Sequence, residues 1–356
     1  MIDLAYKKSI EVLRKNSISS GLFASKSYDG IWTRDSIISF LGLSLINENF
    51  FKKIFKENLK ILKKYQTANG QIPNAVDIFS KRKPHIDYGS IDSTLWFIIG
   101  VSLYKKRYDE EIFKDNNSIK KALTWLSYQD MGNDLMLEQL PTTDWQDAFP
   151  HKYGHTINTQ ALYYYVLKLS KKNKEAQKLK KVVNSELWKN NFYLAYKWKS
   201  HNKYLEEGNW FDSLGNLMAI IFGLTDKNKS KKILDYIKSE NISKPWPIKS
   251  IYPPINKNSK YWKNYFLDCE AGTPNHYLNG GIWPFIGGFY LLALIKLKKF
   301  NSAKKQLKFL AELNLKYEFP EWIDPITKKG YGKNQSWNAG MYILAYNSIK
   351  KKKCLF

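Results

Sequence analysis

Short runs rich in tryptophan and acidic side chains recur along this chain of 356 residues. Each run stands immediately before an apolar stretch that has helical spacing. If these apolar helices lie side by side in one direction, all the runs meet at one end of the fold. The six runs are Trp32–Asp35, Ile91–Thr94, Asp144–Asp147, Glu206–Trp210, Asn279–Pro284, and Glu321–Trp322 continuing into Gln335–Trp337.

The residue types in these runs suit the binding and cleavage of a sugar. A pyranose has apolar C–H faces that pack on aromatic rings, and its hydroxyl groups favour charged hydrogen-bond acceptors. Hydrolysis of a glycosidic bond needs one protonated carboxyl group to assist the leaving oxygen and one ionised group to activate water or attack carbon. The carboxylates available are Asp35, Asp92, Asp144, Asp147, Glu206, Glu207, Asp212, Glu270 and Glu321, and the tryptophans are Trp32, Trp145, Trp210, Trp283, Trp322 and Trp337.

A structural role is the alternative for each of these residues taken alone. An Asp or Glu at a helix start is commonly a cap or a partner of the helix dipole, which applies to Asp35, Asp92 and Asp212. An isolated tryptophan is more often part of a core. Capping does not require tryptophan, arginine or an Asn-Gly-Gly segment, however, so the repeated coincidence of these types favours a binding site.

The elements that must position these runs are helices. Apolar residues at helical spacing predict about twelve helices that begin near residues 2, 33, 50, 91, 117, 155, 172, 211, 227, 282, 300 and 335, and strand-like alternation is scarce. Every second helix is apolar nearly all round, and the others carry lysine on one face. Alternating outer and inner helices predict an all-α fold, an (α/α)6 barrel, as a single catalytic domain over residues 1–356.

The connections between helices have unequal lengths. The long connections lead into inner helices and span residues 66–90, 130–154, 185–210, 239–281 and 315–334. Because each inner helix is followed by an outer one that returns the chain, the inner helices are expected to be parallel. Their N-termini and the long loops then share one rim, where a site is expected.

Composition limits the classes of partner and the location. The net charge of +25 would suit nucleic acid, but the lysines are spread over several helices and no nucleic-acid motif is present, so this partner is not expected. Cys269 and Cys354 have neither disulfide-framework nor metal-site spacing, so no metal or cofactor is expected. No stretch reaches about 18 uninterrupted apolar residues, and the N-terminus lacks an export signal, so a cytoplasmic location is expected.

Several of the motifs together resemble a known group of enzymes, the (α/α)6 glycosidases that include amylo-α-1,6-glucosidases and alkaline/neutral invertases. The likeness follows the order of the motifs over nearly the whole chain. The motifs are Trp32-Thr33-Arg34-Asp35, Ile91-Asp92-Ser93-Thr94-Leu95-Trp96, Asp144-Trp145-Gln146-Asp147, Tyr277-Leu278-Asn279-Gly280-Gly281-Ile282-Trp283-Pro284, and Glu321-Trp322 with Gln335-Ser336-Trp337.

The resemblance implies roles for individual residues. Asp92 corresponds to the general acid, and Glu321 corresponds to the general base that activates water on the opposite face of the sugar. Arg34 and Asp35 resemble the pair that grips hydroxyls of the terminal sugar. The other candidate substrate-binding residues are Asp144 and Asp147 for the same grip or for orienting the acid, Trp32, Trp145, Trp283 and Trp337 as walls, and Gln335 and Asn279 as hydrogen-bond partners of the sugar or of Glu321.

The leading hypothesis is therefore an inverting, exo-acting glycoside hydrolase that releases glucose from a short α-glucoside. Sucrose hydrolysis is the enzymatic alternative, and phosphorolysis on the same barrel stays open. A non-catalytic sugar-binding barrel and a basic helical scaffold are the alternatives of other classes. The sequence leaves the exact sugar and linkage and the oligomeric state open.

Overall fold

The computed structural model describes residues 1–28, 30–77, 85–113, 117–200 and 204–356. Twelve α-helices lie in this part of the chain, and each begins within two residues of its predicted start. The helices are α1 (Ile2–Asn16), α2 (Thr33–Leu43), α3 (Asn49–Lys64), α4 (Asp92–Tyr108), α5 (Asn117–Ser127), α6 (Ile157–Leu169), α7 (Asn173–Glu186), α8 (Ser213–Phe222), α9 (Lys227–Ser239), α10 (Pro284–Lys296), α11 (Phe300–Lys316) and α12 (Ser336–Lys350).

The even-numbered helices form a closed inner ring. Helix α2 packs on α4, α4 on α6, α6 on α8, α8 on α10, α10 on α12, and α12 returns to α2. The odd-numbered helices pack outside this ring, as α1 does on α12 and α11 on α10. The predicted (α/α)6 barrel is confirmed. That the chain forms a single domain stays a prediction. The barrel uses helices from Ile2 to Lys350, which agrees with it.

Burial separates the two classes of helix as their sequences predict. All residues of α2 and α8 are buried, and α10 is buried from Pro284 to Ile295. In the outer helix α3 only one face is buried, and its lysines lie on the other. Burial on all sides explains why the inner helices are apolar all round. None of the described helices is long and apolar enough to cross a membrane.

Short strands join the long loops, and one long hairpin was not predicted. The strands are β1 (Ser17–Ile18), β2 (Gly21–Leu22), β3 (Ile31–Trp32), β4 (Ala75–Asp77), β5 (His85–Asp87), β6 (His155–Thr156), β7 (Trp188–Lys189), β8 (Phe192–Ser200), β9 (Tyr204–Asp212), β10 (Ile251–Tyr252), β11 (Trp322–Ile323) and β12 (Gly330–Tyr331). Strands β8 and β9 pair antiparallel with an irregularity between Leu194 and Tyr196. Consecutive residues Tyr193–Tyr196 are all buried, so the period-two signal of a strand is lost.

A belt of backbone hydrogen bonds runs around the rim. Near the start of each inner helix, the backbone is hydrogen-bonded to the loop that precedes the next inner helix in the ring. The pairs are Thr33 N with Asn74 O (2.9 Å), Ile91 N with Thr143 O (2.8 Å), β6 with β8, Ser213 N with Ser250 O (3.0 Å), Ile282 N with Ile323 O (2.9 Å), and Ser336 N with Ala24 O (2.8 Å). The last pair joins the start of α12 to the loop before α2, so the belt is closed.

Two glycines allow the ring to close tightly. A Cβ atom on Gly42 of α2 would lie 1.8 Å from the carbonyl oxygen of Gly340 in α12. A Cβ atom on Gly340 would in turn lie 2.5 Å from the Cα atom of Ser39. Only glycine fits this backbone contact, which is why α2 and α12 approach so closely.

Candidate active site

The N-terminal turns of the inner helices bring most of the predicted residues to one rim. Arg34, in the first turn of α2, lies at the centre of this group and is 3% exposed. Its Nη1 atom donates to both oxygens of Asp92, at 3.1 and 3.3 Å, and its Nη2 atom donates to Oδ2 of Asp147 at 3.0 Å. Asp35 Oδ2 lies 3.9 Å from its Nε atom. One guanidinium therefore joins carboxylates from three of the six runs.

Asp92 is fully buried at the first turn of α4. Besides Arg34, it accepts a hydrogen bond from Ser90 Oγ at 2.5 Å. Burial raises the pKa of Asp92 above its ordinary value, and the charge of Asp144 adds to this, against the opposing effect of Arg34. The local environment thus favours the protonated form of this carboxyl group more than water does.

Asp35 and Asp147 share the same charged cluster. Burial raises the pKa of Asp35 to about 7, with Asp147 and Glu321 adding to the shift and Arg34 opposing it. Burial also raises the pKa of Asp147, which is further raised by Asp92 and Asp144. Several carboxylates compete for one guanidinium, so they cannot all be ionised at low cost.

Glu321 is half-buried at the rim, in the loop before α12. Its Oε1 atom accepts a hydrogen bond of 2.9 Å from the hydroxyl group of Tyr28. Burial raises the pKa of Glu321 to about 7, the hydrogen bond from Tyr28 lowers it, and the charges of Asp147 and Glu270 raise it. Tyr28 was not predicted, because a single tyrosine in a loop carries no distinguishing sequence signal.

A buried lysine, also not predicted, holds two further carboxylates. Lys152 is 2% exposed, and its Nζ atom lies 2.9 Å from Asp144 Oδ2 and 2.7 Å from Asp212 Oδ2. Burial alone would raise the pKa of Asp144, but the Lys152 charge lowers it below its ordinary value. Asp212 also caps α8, accepting from Gly215 N at 3.0 Å, as the capping alternative predicts. One lysine among 57 basic residues gives no hint of burial in the sequence.

Three of the four predicted tryptophan walls are buried. Trp145, Trp283 and Trp337 are 2%, 1% and 4% exposed, and Trp283 meets both others edge to face. Phe285 stacks on Trp337 with ring centres 4.0 Å apart. The indole N–H of Trp283 donates to the carbonyl of Tyr277 at 3.0 Å. By contrast, the buried indole nitrogens of Trp145 and Trp337 have no hydrogen-bond partner among the described residues.

The remaining predicted binding residues differ in burial and in whether their polar atoms already have hydrogen-bond partners. Gln335, the N-cap residue of α12, is buried, and its Nε2 atom has no partner in the described part of the chain. Trp32 is half-buried and packs edge to face with Tyr28. Asn279 is fully buried, and its amide bonds both the N–H and the carbonyl of Ile255, at 2.7 and 2.8 Å. These bonds give Asn279 a role in holding a loop.

Three further candidate carboxylates, Glu206, Glu207 and Glu270, have partners elsewhere. Glu206 accepts from Tyr153 at 2.5 Å and from Tyr196 at 3.3 Å, and Glu207 pairs with Lys189 on the β8–β9 hairpin side. Glu270 is exposed and bonds to His276. Among the described residues, no group of three or more His, Cys, Asp or Glu side chains is arranged to hold a metal ion.

Comparison with known proteins finds similarity to alkaline/neutral invertases. The family model described as "Alkaline and neutral invertase" matches residues 205–352. The predicted resemblance is confirmed. Similar proteins include alkaline/neutral invertase C, mitochondrial, of Arabidopsis thaliana, which is 24% identical over 73% of this chain and 48% of its own length. Neutral/alkaline invertase 3, chloroplastic, of Oryza sativa subsp. japonica is 30% identical over 40% of this chain and 24% of its own length. The chain spans about half the length of this Arabidopsis invertase and of neutral/alkaline invertase 1, mitochondrial, of Oryza sativa subsp. japonica.

Solved structures share the fold at low sequence identity. The GH63 mannosylglycerate hydrolase from Thermus thermophilus, in complex with glucose, has a TM-score of 0.73 and 14% identity, covering 95% of this chain and 99% of that one. A rhamnosidase from Klebsiella oxytoca with rhamnose bound has a TM-score of 0.68 and 12% identity, covering 98% of this chain and 64% of that one. These likenesses support the barrel and, at such identities, concern the fold alone.

Lys152 should stabilise the folded protein through its two buried carboxylates. Replacing it by Met leaves Asp144 and Asp212 buried without their cation, so we expect the free energy of unfolding to fall by about 3–5 kcal/mol at pH 8. Acidification to pH 5 should reduce this loss, because a buried Asp144 without Lys152 takes up a proton more readily in the folded state. Denaturant unfolding at both pH values measures the effect.

The exposed lysine Lys53 of α3 offers the matched control, and Lys53→Met should leave stability nearly unchanged. Adding Asp144→Asn to Lys152→Met should restore part of the loss. An equal loss at pH 5 and pH 8 would contradict the electrostatic explanation.

Proposed function

We propose that this protein is a glycoside hydrolase that cleaves a short α-glucoside with inversion, using Asp92 as general acid and Glu321 as general base. The observation that carries the proposal is the presence of two carboxyl groups on one rim, the buried Asp92 and the half-buried Glu321, each with a raised pKa and each with its own hydrogen-bond donor. Glycoside hydrolysis with inversion needs one proton donor and one proton acceptor on opposite sides of the sugar.

Asp92 is suited to donate a proton to the leaving oxygen. Burial raises its pKa, and Asp144 raises it further. Lys152 favours the ionised form of Asp144, so the negative charge that helps to retain the proton on Asp92 is itself stabilised. Ser90 and Arg34 fix the position of the carboxyl group. As the proton leaves, Arg34 stabilises the aspartate that forms.

Glu321 is suited to take a proton from the attacking water. A base whose pKa lies near the working pH is an efficient proton acceptor, and burial brings the pKa of Glu321 to about 7. Tyr28 holds the Oε1 atom of the carboxylate by its hydrogen bond. The second oxygen of the carboxylate can then accept from water, which attacks the anomeric carbon as the leaving oxygen departs.

The other rim residues form the sugar-binding part of the proposal. Asp35 and Asp147 offer acceptors for hydroxyl groups, and Arg34 keeps both in place. The unpartnered donors at Trp145, Trp337 and Gln335 suit acceptor oxygens of the same sugar. We leave Asn279 out of this set because Ile255 already occupies its amide group.

Sucrose and a short glucose oligosaccharide are the two candidate substrates. Sucrose is itself an α-glucoside, and the sequence relatives are named invertases, which favours it over the α-1,6-glucosidase substrate expected from the motifs. A cytoplasmic location is kept as part of the proposal. The relatives' names include mitochondrial, chloroplastic and cytosolic proteins.

Separate variants of the acid and the base distinguish their roles. We expect Asp92→Asn and Glu321→Gln each to lower kcat on sucrose or maltose by about 10²–10⁴. With α-glucosyl fluoride, whose leaving group needs no proton, Asp92→Asn should regain most of its activity while Glu321→Gln stays inactive. Fluoride release measures this, and circular dichroism confirms that the variants fold. Equal impairment of Asp92→Asn on both substrates would refute the acid assignment.

The hydrogen bond from Tyr28 should set the acidic limb of the pH profile. The limb reports protonation of Glu321, whose pKa is raised to about 7, so kcat/KM should fall as the pH drops below this value. In Tyr28→Phe the ionised form of Glu321 loses a donor, its pKa rises, and the limb should move upward by about one pH unit. Tyr317→Phe, which alters a hydroxyl bonded to the Lys328 carbonyl, is the control. An unmoved or lowered limb in Tyr28→Phe would count against this role.

The stereochemistry of the product tests inversion. Attack by water opposite the leaving group should release β-glucose first from an α-glucoside. Proton NMR recorded before mutarotation equilibrates distinguishes the two anomers. Initial release of α-glucose would rule out the direct displacement proposed for Glu321.

A further inference from the structure

A cavity of about 520 Å³ lies beside the rim, between the loops that lead into α4 and α6. This volume is within the range of small-molecule sites, about 300–1,000 Å³. Its wall includes residues from the outer helix α5 and from the β8 strand, and neither Asp92 nor Glu321 lines it. It is therefore separate from the site proposed for hydrolysis.

The lining of this cavity matches a neutral, hydroxyl-rich ligand. Trp125, Trp198, Tyr88 and Tyr153 supply aromatic rings, and all four are half-buried. The lining also contains three glutamines and one carboxylate, Glu138, but no lysine, arginine or histidine. In a chain with 57 basic residues, a cavity without any of them does not suit phosphate, nucleic acid or another anion.

Gln139 lines the cavity and has a fixed amide whose hydrogen-bond donor is unused among the described residues. It is 5% exposed, and its Oε1 atom accepts hydrogen bonds from the hydroxyl groups of Thr156 and Thr159, both at 2.5 Å. These two bonds orient the amide, and its Nε2 atom has no partner among the described residues. A buried donor left unpaired costs free energy, which a ligand acceptor would recover.

We propose that this cavity is a second carbohydrate-binding site, which holds a short neutral oligosaccharide. Aromatic rings pack on sugar faces, while Gln139 and Glu138 supply a donor and an acceptor for hydroxyl groups. Ser90 lines the cavity and also bonds to Asp92, so the bound sugar lies directly beside the wall of the hydrolytic site. The site retains a sugar chain near the rim without taking part in bond cleavage.

Binding of maltoheptaose to the full chain tests the proposal. In a Glu321→Gln background, which prevents turnover, isothermal titration calorimetry should detect a binding event that Trp125→Ala weakens about tenfold or more. Gln139→Met should weaken the same event. Trp188→Ala, which removes a half-buried tryptophan outside the cavity, should leave it unchanged. In the active protein, Trp125→Ala should keep its kcat and KM for sucrose or maltose.

Two results would overturn the proposal. One is the absence of maltoheptaose binding, and the other is binding that Trp125→Ala and Trp188→Ala affect equally. The outcome is independent of the proposed hydrolysis. If the protein cleaves no glycoside but binds maltoheptaose in a way that depends on Trp125, the hydrolase proposal is refuted and the second site is retained. If the protein cleaves a glycoside but shows no such binding, the second site is refuted and the hydrolase proposal is retained.

Discussion

The rim depends on the closed belt of backbone hydrogen bonds that ties each inner helix start to the next long loop. Without it, the loops that lead into the inner helices would be free to move over the end of the barrel, and ordering them would cost conformational entropy. The bonds from Thr33 to Asn74, from Ile91 to Thr143 and from Ser336 to Ala24 fix loops from different repeats in one frame. The belt holds each loop to the helix starts on both sides of it. Side chains at the rim, such as Arg34 and Glu321, therefore keep their positions relative to their hydrogen-bond partners.

Burial and paired charges give chemically similar carboxyl groups different properties on this frame. Asp92 and Asp144 are both buried at the rim, yet the pKa of Asp92 is raised and that of Asp144 is lowered. The difference comes from Lys152, which lies against Asp144, whereas Arg34 is shared among several carboxylates. A protein with a net charge of +25 thus concentrates acidic groups at one end and holds them with only two buried cations, Arg34 and Lys152, among the described residues of this cluster.

Prediction from the sequence was most successful where burial imposes a regular spacing of apolar residues. The inner helices were predictable because each must be apolar on all sides, and the rim followed from the lengths of the connections. The β8–β9 hairpin was not, since its base is buried on both faces. Tyr28 acquires its role through Glu321, 293 positions away, and Lys152 joins the nearby Asp144 to Asp212, 60 positions away; no local pattern encodes these contacts. Asn279 was expected at the sugar, but its local loop contacts occupy it.

The contact between α12 and α2 has a consequence for the order in which the molecule is made. Gly340 must meet Gly42, and Ser336 must reach Ala24, before the ring can close. Since α12 is synthesised about 300 residues after α2, helix α2 lacks this neighbour until α12 docks. The apolar surface that α12 covers stays exposed until this helix docks, and exposed apolar surface favours aggregation.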